Sequence, residues 1–163
     1  MSKKNSGPKT APLRVLDAAG VPYTVHEHTR KQFTCEGVAQ DLGVPIAQVV
    51  KAMIVQRSDG RFALFVLAGD RRMSMKKAQA ALGDRYAALA GERDVLRVTG
   101  YQVGAVSVVG LRRDDIAAYV DRSVLALPQA IISAGRPDAG IALTPADLLR
   151  AMPDAQIGDY AEG

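Results

Sequence analysis

The stretch KAMIVQRSDGRFALFVLA, residues 51–68, carries the clearest structural signal in this sequence. Two runs rich in β-forming residues, 51–57 and 61–68, are separated by Ser-Asp-Gly, a turn that is typical of a β-hairpin. Because the strands of a hairpin run antiparallel, this stretch argues against a purely parallel, doubly wound sheet. We therefore predict a sheet that includes antiparallel pairs.

Helical and strand patterns are intermixed along the rest of the chain. Helices that mostly open at Thr, Ser or Pro and mostly close at Gly are predicted at residues 11–20, 34–43, 75–83, 91–100 and 144–152. Strands are predicted at residues 22–28, 86–90, 117–121, 130–135 and 141–143, with a loop over 101–111. These patterns indicate one α/β domain in which helices pack around a mixed sheet.

Length and composition agree with a single folded domain. The chain has 163 residues, of which 48% are hydrophobic and 23% are charged. No apolar run approaches the roughly 18–20 residues that a membrane helix needs, so we expect no membrane association. Residues 1–10 are basic and polar, lead into no apolar segment, and are predicted to form a flexible tail.

The charge and the cysteine content bear on the partner and the cellular compartment of the protein. The net charge of +4 is compatible with a polyanionic partner, although a solvated basic surface gives the same value. Cys35 is the sole cysteine, so no intrachain disulfide can form, which fits a reducing cytoplasm. We expect a cytoplasmic protein.

Common catalytic and metal-binding motifs are missing from the sequence. It contains no phosphate-binding Walker loop, no dinucleotide-binding glycine motif and no GxSxG nucleophile motif. His26, His28 and Cys35 are the only soft metal ligands, which leaves two interpretations: a metal site, or one buried and one exposed histidine. Cys35 itself is either a nucleophile or a small core residue. We expect no metal and no cofactor.

Lys51 is the most unusual residue of the predicted hairpin. On a strand, both faces of residues 49–55 are apolar, so the strand should be covered on both sides. An ammonium group is costly there unless it reaches an edge or meets an anion. Lys51 is therefore a candidate functional residue.

Two glycine-containing stretches are candidate partners for Lys51. In GAVSVVG, residues 104–110, glycines can leave backbone N–H groups free and let a ligand approach the chain. The alternative is a plain bend. The stretch SAGRPDAG, residues 133–140, has a similar composition, and a simple turn is its default interpretation.

Five stretches, taken in order, resemble the YbaK family of aminoacyl-tRNA editing proteins, which is related to the insertion domain of bacterial prolyl-tRNA synthetase. They are VPYTVHEH, LGVPIAQVVKAMIV, LAGDRRMSMKKAQAALG, TGYQVGAVSVVG and ISAGRPDAGIALTPADLL. The lysine of VVKAMIV, the TGYxVG lead-in and the two glycines around Ser107 are the specific features. The resemblance covers residues 11–152 and leaves residues 153–163 as a predicted C-terminal tail.

The resemblance implies a fold and an activity. The fold would be a single domain with a mixed, mostly antiparallel sheet of pseudo-barrel form, flanked by helices. The activity would be hydrolysis of the ester in mischarged tRNA, with cysteine or alanine on tRNA for proline as the expected substrates. The acceptor end of an aminoacyl-tRNA would be the partner, and prolyl-tRNA synthetase is a candidate protein partner. No metal or cofactor is implied.

The resemblance also assigns site residues. Lys51 would hold the acceptor end, and the backbone N–H groups of the loop that includes Gly104 and Ala105 would surround the ester carbonyl. Met53 and Phe33 are predicted to be pocket walls. The remaining predicted substrate-binding residues are His28, Val106, Ser107, Gly110, Gly135 and Arg136.

Four positions depart from the usual family pattern; one is His28, where some members carry an aromatic residue, and the other three keep other functions open. Ala105 and Val108 stand where members usually carry glycine and proline, and Gly140 stands where several carry an acidic residue. One alternative is therefore a non-hydrolytic module that binds a tRNA end or a synthetase. A further alternative is a general nucleic-acid-binding protein, although the sequence has only eight aromatic residues for base stacking.

Overall fold

The computed structural model describes residues 9–163, so most of the predicted N-terminal tail lies outside the described residues. Thr10, at the end of that tail prediction, is the N-cap of the first helix. Its Oγ1 donates a hydrogen bond of 2.5 Å to the carbonyl of Ala134, so residue 10 belongs to the folded structure.

The described residues form six α-helices and eight strands. The helices are α1 (Ala11–Ala19), α2 (Cys35–Leu42), α3 (Met75–Leu82), α4 (Glu92–Thr99), α5 (Arg122–Leu125) and α6 (Pro145–Arg150). The strands are β1 (Thr24–Glu27), β2 (Lys51–Gln56), β3 (Phe62–Leu67), β4 (Ala88–Leu89), β5 (Ala117–Asp121), β6 (Ala130–Ser133), β7 (Ala139–Leu143) and β8 (Gln156–Gly158). A 3₁₀ turn at Ile46–Gln48 precedes β2.

The predicted hairpin is confirmed. Strands β2 and β3 pair antiparallel from Lys51 opposite Leu67 to Gln56 opposite Phe62. Gly60 closes the turn with a φ of 87°, a value in the left-handed region that favours glycine. Every residue of β3 is buried, and alternate side chains enter two different apolar clusters, one of which packs against α3. The hairpin therefore forms the centre of the fold.

The strands form two sheets rather than the one mixed sheet expected from the sequence. The larger sheet has the order β4-β2-β3-β5-β8, in which β5 and β8 are parallel to their neighbours. The smaller sheet has the order β1-β7-β6 and is antiparallel throughout. A backbone bridge between Val49 and Ile131 joins the two sheets immediately before Lys51. We call this junction the seam.

The prediction of a C-terminal tail over residues 153–163 differs from the structure. Strand β8 pairs with β5, and Tyr160 is buried against Phe65, with 5.2 Å between the ring centroids. The buried Asp121 carboxylate accepts a hydrogen bond of 2.7 Å from the N–H of Tyr160. The sequence signal was weak because β8 has three residues and its first two are exposed, so it lacks a clear alternating pattern.

Among residues 9–163, no helix has the length and apolar character needed to cross a membrane.

Candidate active site

A small pocket opens at the seam between the two sheets. Its volume is about 230 Å³, which is below the roughly 300–1,000 Å³ of sites that hold drug-sized ligands. Residues from four parts of the chain line it: positions 28–38 around the start of α2, 49–53 at the start of β2, 103–106 in the loop after α4, and 131–140 around β6 and β7. The pocket therefore suits a small group, with the remainder of a larger ligand outside.

Lys51 lies in this pocket and not in the apolar core. It is the first residue of β2, it is half-buried, and it lines the pocket together with Met53. No carboxylate among residues 9–163 forms an ion pair with its ammonium. A half-buried cation without an ion-pair partner can meet an anionic or electron-rich group of a ligand.

The loop at residues 103–106 forms another wall, and Gly104 fixes its position. Gly104 has a φ of 88°, and a Cβ at this position would overlap with the carbonyl oxygen of Phe33. The N–H of Ala105 donates to the carbonyl of Gln102 at 2.9 Å, so it is engaged within the loop. Among the described residues, no acceptor binds the N–H groups of Gly104 and Val106. The N–H of Ala105 is therefore not available to bind an ester carbonyl, although the family resemblance assigns it that role.

Several of the predicted site residues meet in the pocket. Lys51, Gly104, Ala105, Val106, Phe33, Met53, His28 and Arg136 all line it. The Arg136 side chain is 42% exposed, and its guanidinium lies 3.3 Å from the carboxylate of Asp138. Eight of the eleven predicted site residues therefore lie around one pocket.

Three predicted binding residues lie outside the pocket lining, and packing explains each of them. Ser107 is fully buried, and its Oγ accepts a hydrogen bond of 3.4 Å from the N–H of Val109. A Cβ at Gly110 would meet the backbone of Ala11, and one at Gly135 would lie 3.0 Å from the ring of Pro12. These glycines allow close packing against the start of α1 and offer no group to the pocket.

The family assignment follows from a match over most of the chain. Residues 29–151 match the model of the aminoacyl-tRNA editing domain. This chain belongs to the aminoacyl-tRNA editing domain family. The match includes Lys51 and the 103–106 loop.

Relatives of this editing domain include free-standing proteins and parts of synthetases. A protein of Enterococcus faecalis with the provisional name Cys-tRNA(Pro)/Cys-tRNA(Cys) deacylase EbsC is 25% identical over 151 residues, covering 91% of this chain and 92% of that protein. The proline–tRNA ligase of Desulforamulus reducens is 35% identical over 131 residues, covering 80% of this chain. The chain spans 22% of the length of that ligase.

A solved structure supports the same fold. The crystal structure of a provisionally assigned trans-editing enzyme for prolyl tRNA synthetase superposes with a TM-score of 0.83 at 28% identity. The superposition covers 94% of this chain and 96% of that chain. The mixed, mostly antiparallel α/β fold with flanking helices is thereby confirmed as that of an editing domain.

The two histidines of the editing domain differ in their surroundings. His26 is exposed on β1, whereas the His28 side chain is only 2% exposed and lines the pocket. His28 Nδ1 lies 3.2 Å from a carboxylate oxygen of Asp41 on α2. Residues 9–163 contain no group of three or more His, Cys, Asp or Glu side chains that could hold a metal ion. The His28 side chain is therefore the buried one of the two and the His26 side chain the exposed one.

Cys35 also lines the pocket, although the family resemblance gave it no role. Burial raises the pKa of its thiol, the positive charge of Lys51 lowers it, and Glu36 raises it, with a net upward shift. Because the thiolate is the nucleophilic form, this environment disfavours a nucleophilic role for Cys35. The thiol instead acts as part of the pocket wall.

The raised pKa leads to a direct prediction for Cys35. Iodoacetamide at pH 7.5 should alkylate Cys35 in the folded protein several times more slowly than in the denatured chain, because less thiolate is present. Lys51→Met should slow the reaction further, since removing the nearby positive charge disfavours the thiolate. Mass spectrometry of the single cysteine gives both rates. Faster alkylation of the folded protein would contradict the assignment.

Proposed function

We propose that this protein is a trans-editing deacylase that hydrolyses the ester of mischarged tRNA, with cysteine or alanine on tRNA for proline as substrates. The observation that carries the proposal is one small pocket lined by Lys51 and by Gly104 and Val106, whose N–H groups are bound by no acceptor among the described residues. Ester hydrolysis needs a positioned water and stabilisation of the developing oxyanion. A cation and backbone N–H groups provide the second requirement.

The size of the pocket supports a small aminoacyl group. A volume of about 230 Å³ is too small for an amino acid and its adenosine together, and the proposal places the amino acid inside the pocket. Discrimination against proline then rests on the fit of a few atoms, and one methylene is worth roughly 1–3 kcal/mol. Met53 and Cys35, both lining residues, set part of that fit.

A shallow groove beside the pocket is suited to the terminal adenosine. Phe33 is 41% exposed and lines both the pocket and this groove, whose other walls include Arg93, Leu96 and Val103. Aromatic side chains stack on nucleic-acid bases irrespective of base identity, and a nearby arginine attracts phosphate. The groove thus lies next to the pocket that would receive the aminoacyl group.

The proposal is tested with a panel of aminoacyl-tRNAs. Alanyl, cysteinyl and seryl esters on tRNA for proline are incubated with the protein, and prolyl-tRNA serves as the control. We expect hydrolysis of at least one mischarged species and a spared prolyl ester. Binding of acylated ends without turnover on any species would instead favour the non-hydrolytic module, in which case Ala105 and Val108 become the positions to revert.

A further inference from the structure

His28 and Asp41 form a buried pair at the edge of the pocket. The side chains of His28 and Asp41 are 2% and 9% exposed, and 3.2 Å separates His28 Nδ1 from Asp41 Oδ2. His28 directly follows β1 in the chain, and its N–H donates to the carbonyl of Asp138 at 2.8 Å. The backbone of His28 is therefore held independently of its side chain.

The hydrogen bonds of Asp41 determine which nitrogen of His28 carries a proton. Thr29 Oγ1 donates to Asp41 Oδ1 at 2.5 Å, and the hydrogen bonds from Thr29 and His28 lower the pKa of the Asp41 carboxyl. An ionised carboxylate only accepts hydrogen bonds, so Nδ1–H of His28 must donate to it. In the neutral imidazole the lone pair is then on Nε2.

The Nε2 atom of His28 has no protein partner among residues 9–163. The ring lines the pocket, and Gly140 on the opposite strand leaves space beside it, since even a Cβ at this position would stay 3.6 Å from Cε1 of the ring. Among the described residues, Nε2 is not one of the side-chain atoms buried without a hydrogen-bond partner, so its lone pair stays accessible, as a base that takes a proton from water requires. Holding β1 to α2 would require only the Nδ1 hydrogen bond.

We infer that His28 is the general base of the deacylation and that Asp41 is its positioning residue. A water molecule attacks the ester carbonyl, forming the new C–O bond, while Nε2 takes one proton from that water. The oxyanion is stabilised by Lys51 and by the free N–H groups of the 103–106 loop. When the C–O bond to the ribose breaks, the imidazolium returns its proton to the leaving ribose oxygen. The products are the free amino acid and a tRNA with its hydroxyl restored.

This arrangement follows the general logic of an activated base. A base in reach of the reacting proton, oriented by a third group, contributes roughly 10²–10⁴-fold to a rate. Here the third group is Asp41, which fixes the tautomer and the ring orientation. The inference rests on the proposed deacylase function, and it assigns to side chains of this protein the proton transfer that Lys51 and backbone donors do not provide.

The test compares His28→Gln with His26→Gln under single-turnover conditions on the ester that the wild type hydrolyses best. The two histidines lie on the same segment, but His26 is exposed, so His26→Gln is a matched control. We expect His28→Gln to lower the maximal rate about 100-fold, while His26→Gln stays within twofold of wild type. Affinity for a non-hydrolysable analogue, in which an amide replaces the ester, should change by less than about threefold in both variants.

Chemical rescue separates a base from a structural residue. His28→Ala removes the ring, and added imidazole should restore at least about tenfold of the lost rate, because it can occupy the vacated space and accept the proton. Thermal unfolding of each variant shows whether it is folded at the assay temperature. Asp41→Asn should lower the maximal rate about tenfold with an unchanged affinity for the analogue, as expected for a positioning residue.

The outcomes distinguish the two proposals. If the wild type hydrolyses no ester of the panel, the deacylase function fails and the base assignment fails with it. If the wild type is active and folded His28→Gln retains its rate, the base assignment alone is overturned. A slow His28→Ala that imidazole does not rescue also overturns it, and the pair is then a structural tie between β1 and α2.

Discussion

Lys51→Ala is expected to lower the single-turnover rate of deacylation by about 10²–10³-fold, the range found when one stabilising group for an oxyanion is removed. The Lys51 ammonium lines the pocket with no ion-pair partner among the described residues, so no other described contact uses its charge. The loss should appear mainly in the maximal rate, because stabilisation of a developing charge acts on the transition state. Rapid quenching of radiolabelled aminoacyl-tRNA measures this rate.

Lys76→Ala is the matched control for the Lys51 prediction. Lys76 is exposed on α3, and its removal changes the net charge by the same amount. It should reduce the rate no more than about twofold, since an isolated surface charge contributes only weakly to binding tRNA. Equal losses in both variants would show that Lys51 acts through general attraction of the polyanion. That result, with a steep salt dependence and no effect of the aminoacyl group, would favour a general nucleic-acid-binding protein.

Gly104→Ala is expected to be the most damaging single-methyl change in the pocket loop. Its φ of 88° lies in the left-handed region, and the added Cβ would overlap with the Phe33 carbonyl oxygen. The backbone must move to relieve this overlap, so we expect the free energy of unfolding to fall by about 2–4 kcal/mol. The displaced loop should also lower the deacylation rate at temperatures where the variant is fully folded. Urea denaturation followed by circular dichroism measures the stability.

Gly60→Ala isolates the backbone contribution to that loss. Gly60 has nearly the same φ, 87°, in the hairpin turn, but no atom lies within 4 Å of a Cβ placed there. Its cost should therefore be confined to the left-handed conformation, about 1–2 kcal/mol. If Gly104→Ala and Gly60→Ala lowered the free energy of unfolding equally, the close approach of Gly104 to the Phe33 carbonyl would add no cost beyond the left-handed conformation.

Local signals in the sequence were sufficient for the hairpin and most of the helices. The turn at residues 58–60 and the apolar runs beside it specify β2 and β3 without any long-range information. The division into two sheets could not be predicted, because the bridge between Val49 and Ile131 joins residues far apart in the chain. Strand β8 escaped prediction for the same reason, since its pairing depends on β5 and on the burial of Tyr160.

The predicted residues line the pocket where a residue's position depends on its own strand or loop. Local context made Lys51 and Gly104 candidates, the family resemblance joined them in one site, and both line the pocket. Ser107 was predicted to bind substrate as well, but its side chain is fully buried and lies outside the pocket lining. Asp41 was missed because it lies within an ordinary helix, and its contact with His28 spans 13 positions of the chain. No short sequence motif indicates a contact between two residues that far apart in the chain.

The position of the seam determines which substitutions can change the substrate preference of this site. Lys51 belongs to one hydrogen-bonded sheet, while Ser133 and Gly140 belong to the other, and the Val49–Ile131 bridge connects the two. Val49 and Ile131 also line the pocket, so the joint between the two sheets is itself part of the pocket wall. Substitutions in the side chains of Val49 and Ile131 can therefore retune which amino acid fits, without touching Lys51 or the loop that faces it.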